Sequence, residues 1–463
     1  MMASPQHVFL FCASLVGLAL IVVTPPSQVP DEPNHFQRAY QVSTGQLLPE
    51  TVDRRVGGVL PHSILMTPAR FLIGRDEKVT AALFRAEWAR ALEPERSQFV
   101  DFPGSALYSP VPYLPHAAGI ALGRMVGFGP LALFYTARLF NFLTWLTLVY
   151  LAIRLAPTAK WLMCLLGLVP MHLFVVASNS ADAVTNGLAF LSVAWFMRLA
   201  WADRPLRHWR DLGMGLLLVI LLSLCKGAFG PIAGLVLLIP PQRLGLAWWA
   251  RVLLALGFLV TSVAAFWLWS EQVRPMHLGY EQYNPKYRAH LPLNRGVDTE
   301  RQMVGVIKNP VGYLKIVAVS LYNDRHPLSR QFYGNLGWLE LQIPPTYLYA
   351  YVALLVWVAA VEPNRVVPTR QGRCLLAGAG LAVIVAIAFL MYCAWVPLGG
   401  TAISGWQGRY FMPAALLLWC AAPARIADPR DRWHRRLAIL VVLMVCLNWI
   451  EGFRLLVERY YLG

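Results

Sequence analysis

From residue 8 to the last turns of the chain, apolar runs of roughly 15–25 residues alternate with short polar connections rich in arginine. A helix rises about 1.5 Å per residue, so a run near 20 residues matches a hydrocarbon core about 30 Å thick. The runs fall at 8–23, 131–153, 160–178, 182–200, 211–225, 229–241, 250–271, 344–361, 374–396, 409–422 and 437–456. They predict an all-α polytopic membrane protein with about eleven transmembrane helices. A membrane β-barrel would instead show short segments of alternating polarity. The first run ends in Pro25-Pro26 with no small-residue cleavage site and reads as a retained anchor.

A twelfth apolar stretch, 111–126, is shorter and carries His116, Arg124 and three prolines at its start. Loop charge decides its place. With 111–126 on the surface, five loops on one side hold sixteen basic residues: Arg154/Lys160; Arg198/Arg204/Arg207/Arg210; Arg243/Arg251; Arg365/Arg370/Arg373; and Arg425/Arg430/Arg432/Arg435/Arg436. Lys226 and Arg409 stand in the short loops opposite. Counting 111–126 as a span would invert every later loop against the positive-inside rule. The expected topology therefore has a cytoplasmic N-terminus and an interfacial helix at 111–126. The whole chain, 1–463, reads as one transmembrane domain with two long outer segments, 25–130 and 272–343. Within these, 79–90 and 300–322 (bent at Pro310) have the apolar spacing of helices lying on a membrane.

Composition agrees: 57% of the 463 residues are hydrophobic and 14% charged, against about 25% charged in soluble domains. The net charge of +16 lies mostly in the loops just described, so it reflects topology, and nucleic acid is not expected as a partner. The seven cysteines form no CxxC and no Cys–His spacing suited to zinc.

Polar chemistry concentrates on the outer side. Asp31-Glu32-Pro33-Asn34-His35 follows the first span. Its acids could cap a new helix begun at Pro33, or supply a general base or metal ligand, with His35 and Arg38 on the same helical stretch. Asp182, in Ser178-Asn179-Ser180-Ala181-Asp182, either caps the fourth span or shares a ligand with Asp31. Gln407-Gly408-Arg409-Tyr410 opens another span, and Arg409 either anchors it to headgroups or grips a lipid phosphate. Arg138, inside an apolar run, requires an anionic partner. With Lys226 it could supplement Arg409. Trp338, in Gly334-Asn335-Leu336-Gly337-Trp338, suits an interfacial anchor or a sugar platform.

Taken in order, five stretches carry a resemblance: 25–47 (PPSQVPDEPNHFQRAYQVSTGQL), 107–125, 169–183 (VPMHLFVVASNSADA), 334–344 (GNLGWLELQIP) and 407–413 (QGRYFMP), together with ARLFN in the second span. The chain resembles the GT-C superfamily of membrane glycosyltransferases, and most closely a bacterial family of predicted membrane proteins grouped with it. That resemblance implies a sugar donor on a polyprenyl phosphate, a lipid or envelope-glycan acceptor, and inverting transfer at the outer face of the bacterial cytoplasmic membrane. It implies Asp31 as the general base, Glu32 assisting or binding a divalent metal where one is used, Asp182 as the second acid, and Arg409 on the donor phosphate. A metal, if used, would fall to Asp31, Glu32 and Asp182. His35, Arg38, Arg138, Lys226, Trp338, Gln407 and Tyr410 are the accompanying candidates for substrate binding. The rival reading is a transporter or flippase of lipid-linked glycans, which would place ionisable groups near midplane and show inverted repeats; neither is visible in the sequence.

Overall fold

The computed structural model describes residues 4–203, 205–291, 293–364, 366–423 and 433–462. Arg204, Arg365, Arg425, Arg430 and Arg432 of the basic loops lie outside them. Among the described residues six helices are long and apolar enough to cross a membrane: Pro5–Val23, Pro130–Leu155, Asp182–Trp201, Trp248–Met276, Arg370–Trp395 and Trp433–Tyr460. Each coincides with a predicted run. Asp182–Trp201 is the central one, 83% buried, whereas Trp248–Met276 is 17% buried and turns most of its surface outward.

The other runs take shorter forms. His208–Cys225 is an 18-residue helix and Pro345–Val361 a 17-residue one. The run 160–178 is two short helices, Lys160–Gly167 and Pro170–Val176. Pro170 cannot donate to the preceding turn, and its fixed φ starts a new helix instead. Residues Gly227–Leu238 form a 3₁₀ helix with Pro231 inside it. At about 2 Å per residue it reaches roughly 24 Å, short of a full crossing. The run 409–422 resolves into a 3₁₀ turn, Gly408–Phe411, and the nine-residue helix Met412–Cys420.

The stretch 111–126 is a 3₁₀ turn followed by the helix Leu114–Met125. Twelve residues are too few to span a membrane, and Leu114, Leu122 and Met125 are exposed along it. Helices also form at the two other predicted stretches, as Ala81–Trp88 and as the pair Thr299–Lys308 and Pro310–Asn323, which meet at 107° and together are apolar enough for a broken span.

The two long segments, 25–130 and 272–343, are joined. The first contains a three-stranded antiparallel sheet, Glu50–Val52, Arg55–Pro61 and Ser97–Asp101, with Gly57 opposite both Glu50 and Asp101. Tyr283 of the second segment accepts a hydrogen bond from the Val56 N–H at 3.1 Å and donates to Asp101 at 3.3 Å. Asn284 reaches the Asp53 carboxylate at 2.7 Å, and its own N–H donates to the Arg54 carbonyl at 3.0 Å.

Candidate active site

The helix Pro130–Leu155 builds the foundation. Arg138 is fully buried and uses all five of its N–H donors. Nε and Nη2 hold the two Glu32 oxygens at 2.7 Å each. Nη1 reaches the Ile21 and Thr24 carbonyls at 3.0 and 2.7 Å, and Nη2 also reaches the Pro25 carbonyl at 3.1 Å. These are carbonyls at the C-terminal end of the first span, where a helix leaves acceptors unpaired. The Glu32 carboxylate also takes the N–H groups of Ser27 and Asn179, both at 3.0 Å. Asn141, one turn beyond Arg138, donates to the Ser178 and Ser180 carbonyls at 2.8 and 3.0 Å. The ARLFN motif therefore positions the two loops that present Asp31 and Asp182.

This answers what pairs with Arg138: the partner is Glu32. Arg138 has no donor left for a substrate, and Glu32, buried beneath Asp31, is part of the framework. Arg38 is likewise committed, to Gln41 at 2.6 Å and to the Leu47 and Tyr108 carbonyls at 2.7 and 3.0 Å. Neither Glu32 nor the two arginines faces an open site.

Asp31 stands at the N-terminus of Glu32–Ser43 in the left-handed region, with φ 65°, a conformation Asp tolerates better than most residues. It does not cap the helix with its side chain. Instead its carboxylate, 44% exposed, accepts from Arg409 Nη2 at 2.6 Å. Arg409, 5% exposed, donates Nε to Gln407 at 2.8 Å and sets Nη1 3.6 Å from Asp182. Nη1 is buried without a hydrogen-bond partner. Asp182 in turn accepts from Lys226 Nζ at 2.8 Å, and both Lys226 and Arg409 face the Tyr410 ring, at 4.6 and 5.3 Å. Four charges thus alternate in sign: Asp31, Arg409, Asp182, Lys226. Residues distant in the chain meet here because a span end, a helix start, a helix end and a 3₁₀ turn converge on one side of the bundle.

Beneath Asp182 and Arg409 lies a cavity of about 10 Å³ lined by Met171, His172 and Phe332 among others, room for one water molecule. A larger ligand must therefore approach from the exposed Asp31 side. Trp338 borders that approach: its Nε1 donates to the Ser27 carbonyl at 3.0 Å while its ring stays 45% exposed. His35 is buried, 2.7 Å from the Tyr113 hydroxyl. Burial pulls its pKa down to about 4 although the Asp31 and Asp182 carboxylates oppose the shift.

The proposed metal trio is not assembled. Among the described residues no three His, Cys, Asp or Glu side chains come together as a metal site. Asp31 and Asp182 converge on a guanidinium, and Glu32 faces Arg138. This donor set does not fit a divalent ion. The sequence reading did not single out Asn141, Asn179 or Tyr113; Asn141 was visible only as a polar residue three positions after Arg138 in an apolar helix.

No curated protein matches the chain. Among solved structures it is similar to ArnT from Cupriavidus metallidurans bound to undecaprenyl phosphate, with 15% identity and a TM-score of 0.43 over 95% of this chain and 63% of that one. The chain thus spans less than two thirds of that structure's length. Residues 12–418 match the family of predicted membrane proteins designated DUF2142, and the chain belongs to that family.

Proposed function

We propose that the protein is a GT-C-type glycosyltransferase that moves a sugar from a polyprenyl-phosphate donor to an envelope glycan or lipid, at the outer face of a bacterial cytoplasmic membrane. The observation that carries this reading is the alternating cluster: a half-exposed carboxylate beside a buried guanidinium that keeps one N–H pair unused, backed by a second acid and a lysine. The resemblance of the Asp-Glu and Gln-Gly-Arg elements to GT-C sequences supports it.

In this reading Asp31 removes the proton from an acceptor hydroxyl. The oxygen attacks the anomeric carbon, the bond from that carbon to the phosphate oxygen breaks, and polyprenyl phosphate leaves with its negative charge. Arg409 and Lys226 stabilise that charge as it develops, the largest kind of contribution such sites make. Attack opposite the leaving group inverts the anomeric centre. Before donor binds, Asp31 is paired with Arg409. A phosphate drawing on Arg409 releases the carboxylate, and Asp182 holds Lys226 in position beside it. Trp338 offers its ring to a sugar face, and Tyr410 holds the two cations in register. No step requires a metal.

Deletion of the gene in its native host, complemented with wild type or Asp31→Asn, tests this by mass spectrometry of envelope glycans and lipid-linked sugars. Loss of one defined sugar, restored by wild type and not by a properly inserted Asp31→Asn protein, is expected. Full rescue by the variant would remove Asp31 as base. Accumulation of a completed lipid-linked glycan in the deletion strain would favour a flippase instead.

A further inference from the structure

A second concave feature lies at the other end of the bundle, on the side of the basic loops, between the starts of two spans. A cavity of about 740 Å³ is floored by Leu206, Leu212, Leu244, Leu246 and Leu254. That volume is in the range of sites that enclose small ligands. Arg207 and Arg210 stand at its rim beside Trp209, which is 91% exposed. Two neighbouring arginines are committed: Arg243 to the Leu199 and Ala202 carbonyls at 2.8 and 2.5 Å, Arg251 to the Leu237 carbonyl at 2.8 Å. Among the described residues Arg207 and Arg210 make no side-chain hydrogen bond or ion pair.

Backbone charge adds to theirs. The helix Trp248–Val273 begins with no side-chain cap and no acidic residue in its first turn, so its positive end is uncompensated. The helix His208–Cys225 has one first-turn acid, Asp211, whose Oδ2 accepts from the Arg207 N–H at 2.9 Å. Trp248 and Trp249, 75% and 58% exposed, place an aromatic belt at the same level, as at a membrane–water boundary.

We propose that this groove is a binding site for an anionic glycerophospholipid, with the phosphate between Arg207 and Arg210 and an acyl chain along the leucine floor. Charge complementarity selects this occupant: two uncommitted guanidinium groups and an uncapped helix end attract an anion, and the floor of leucines has no polar group for the remainder of a soluble one. The site is separate from the Asp31 cluster and independent of the reaction proposed there.

Native mass spectrometry of the full-length protein, titrated with phosphatidylglycerol or phosphatidylcholine, tests the proposal. Phosphatidylglycerol should be retained preferentially. Each arginine near a membrane surface contributes about five-fold in affinity for anionic lipid, so Arg207→Gln/Arg210→Gln should lower that retention by about thirty-fold. Leu246→Trp, which obstructs the floor and keeps both charges, should weaken the lipid as well, and inorganic phosphate should not compete. Equal retention of the two lipids, an undiminished preference in the double variant, or competition by inorganic phosphate would each overturn the proposal. Elution of the variants as monodisperse protein separates these outcomes from misfolding.

Discussion

Two adjacent acids, Asp31 and Glu32, should fail in opposite ways when replaced. Glu32→Ala strands the fully buried Arg138 and removes the acceptor for the Ser27 and Asn179 N–H groups. Breaking a buried ion pair from one side costs about 3–5 kcal/mol, and each unpaired buried N–H adds about 1–3 kcal/mol where the loop cannot relax. A loss of at least about 3 kcal/mol is expected. Asp31→Asn removes one charge from a carboxylate that is 44% exposed, keeps a side-chain oxygen on the Arg409 side and leaves Asp182 3.6 Å from that buried guanidinium. Asn also accepts the left-handed backbone, so Asp31→Asn should lose clearly less stability than Glu32→Ala. Its transfer rate should nevertheless fall by about 10²–10⁴, the usual worth of a general base. Thermal unfolding of the purified proteins in one detergent, with release of polyprenyl phosphate measured in parallel, reads both effects. Equal destabilisation by the two substitutions would refute the division of roles. So would a Glu32→Gln protein that stays as stable as wild type but loses as much activity as Asp31→Asn.

Two further outcomes follow from the same geometry. A Cβ at Gly408 would lie 2.2 Å from the Leu328 carbonyl oxygen and 2.3 Å from the Phe332 nitrogen; both are backbone, so Gly408→Ala must displace the turn that carries Arg409, and donor binding should weaken more than overall stability, as a comparison of KM with melting temperature would reveal. Burial holds His35 near pKa 4 and His116 near 3, against 6.5 ordinarily, so the unfolded chain takes up protons that the fold refuses; stability should be flat above about pH 6.5 and decline as pH falls towards 4, and His35→Gln should flatten part of that decline in a pH series of melting curves.

The six long helices were readable because hydropathy and length suffice for a continuous run. The runs at 160–178, 229–241 and 409–422 were readable as apolar but not as broken. Pro170, Pro231 and Pro413 mark the breaks, yet a proline in a membrane helix can also be accommodated as a kink. At the site, Asp31, Asp182, Lys226 and Arg409 could be named from their places at the ends of apolar runs, because a charge there needs a reason. Their alternation could not, since it depends on which span ends converge. Spacing alone could not separate Asp31 from Glu32, which only the family resemblance set apart. The two are neighbours in the chain, and the first turn of the helix, which buries Glu32 against Arg138 and leaves Asp31 half open, distinguishes them. Arg38 illustrates the reverse: its proximity to the acids suggested substrate binding, but two carbonyls and Gln41 occupy it.

The hydrogen bonds from Tyr283 and Asn284 to the small outer sheet have a mechanical consequence. Segments more than 180 residues apart in sequence are fastened at Val56, Asp101 and Asp53, so this cover cannot hinge open as two independent flaps. A chain nicked by protease within either segment would keep its fragments together through these ties and the surrounding bundle. Anything bulky that enters would then slide in edgewise from the lipid, beneath a roof that moves as one plate.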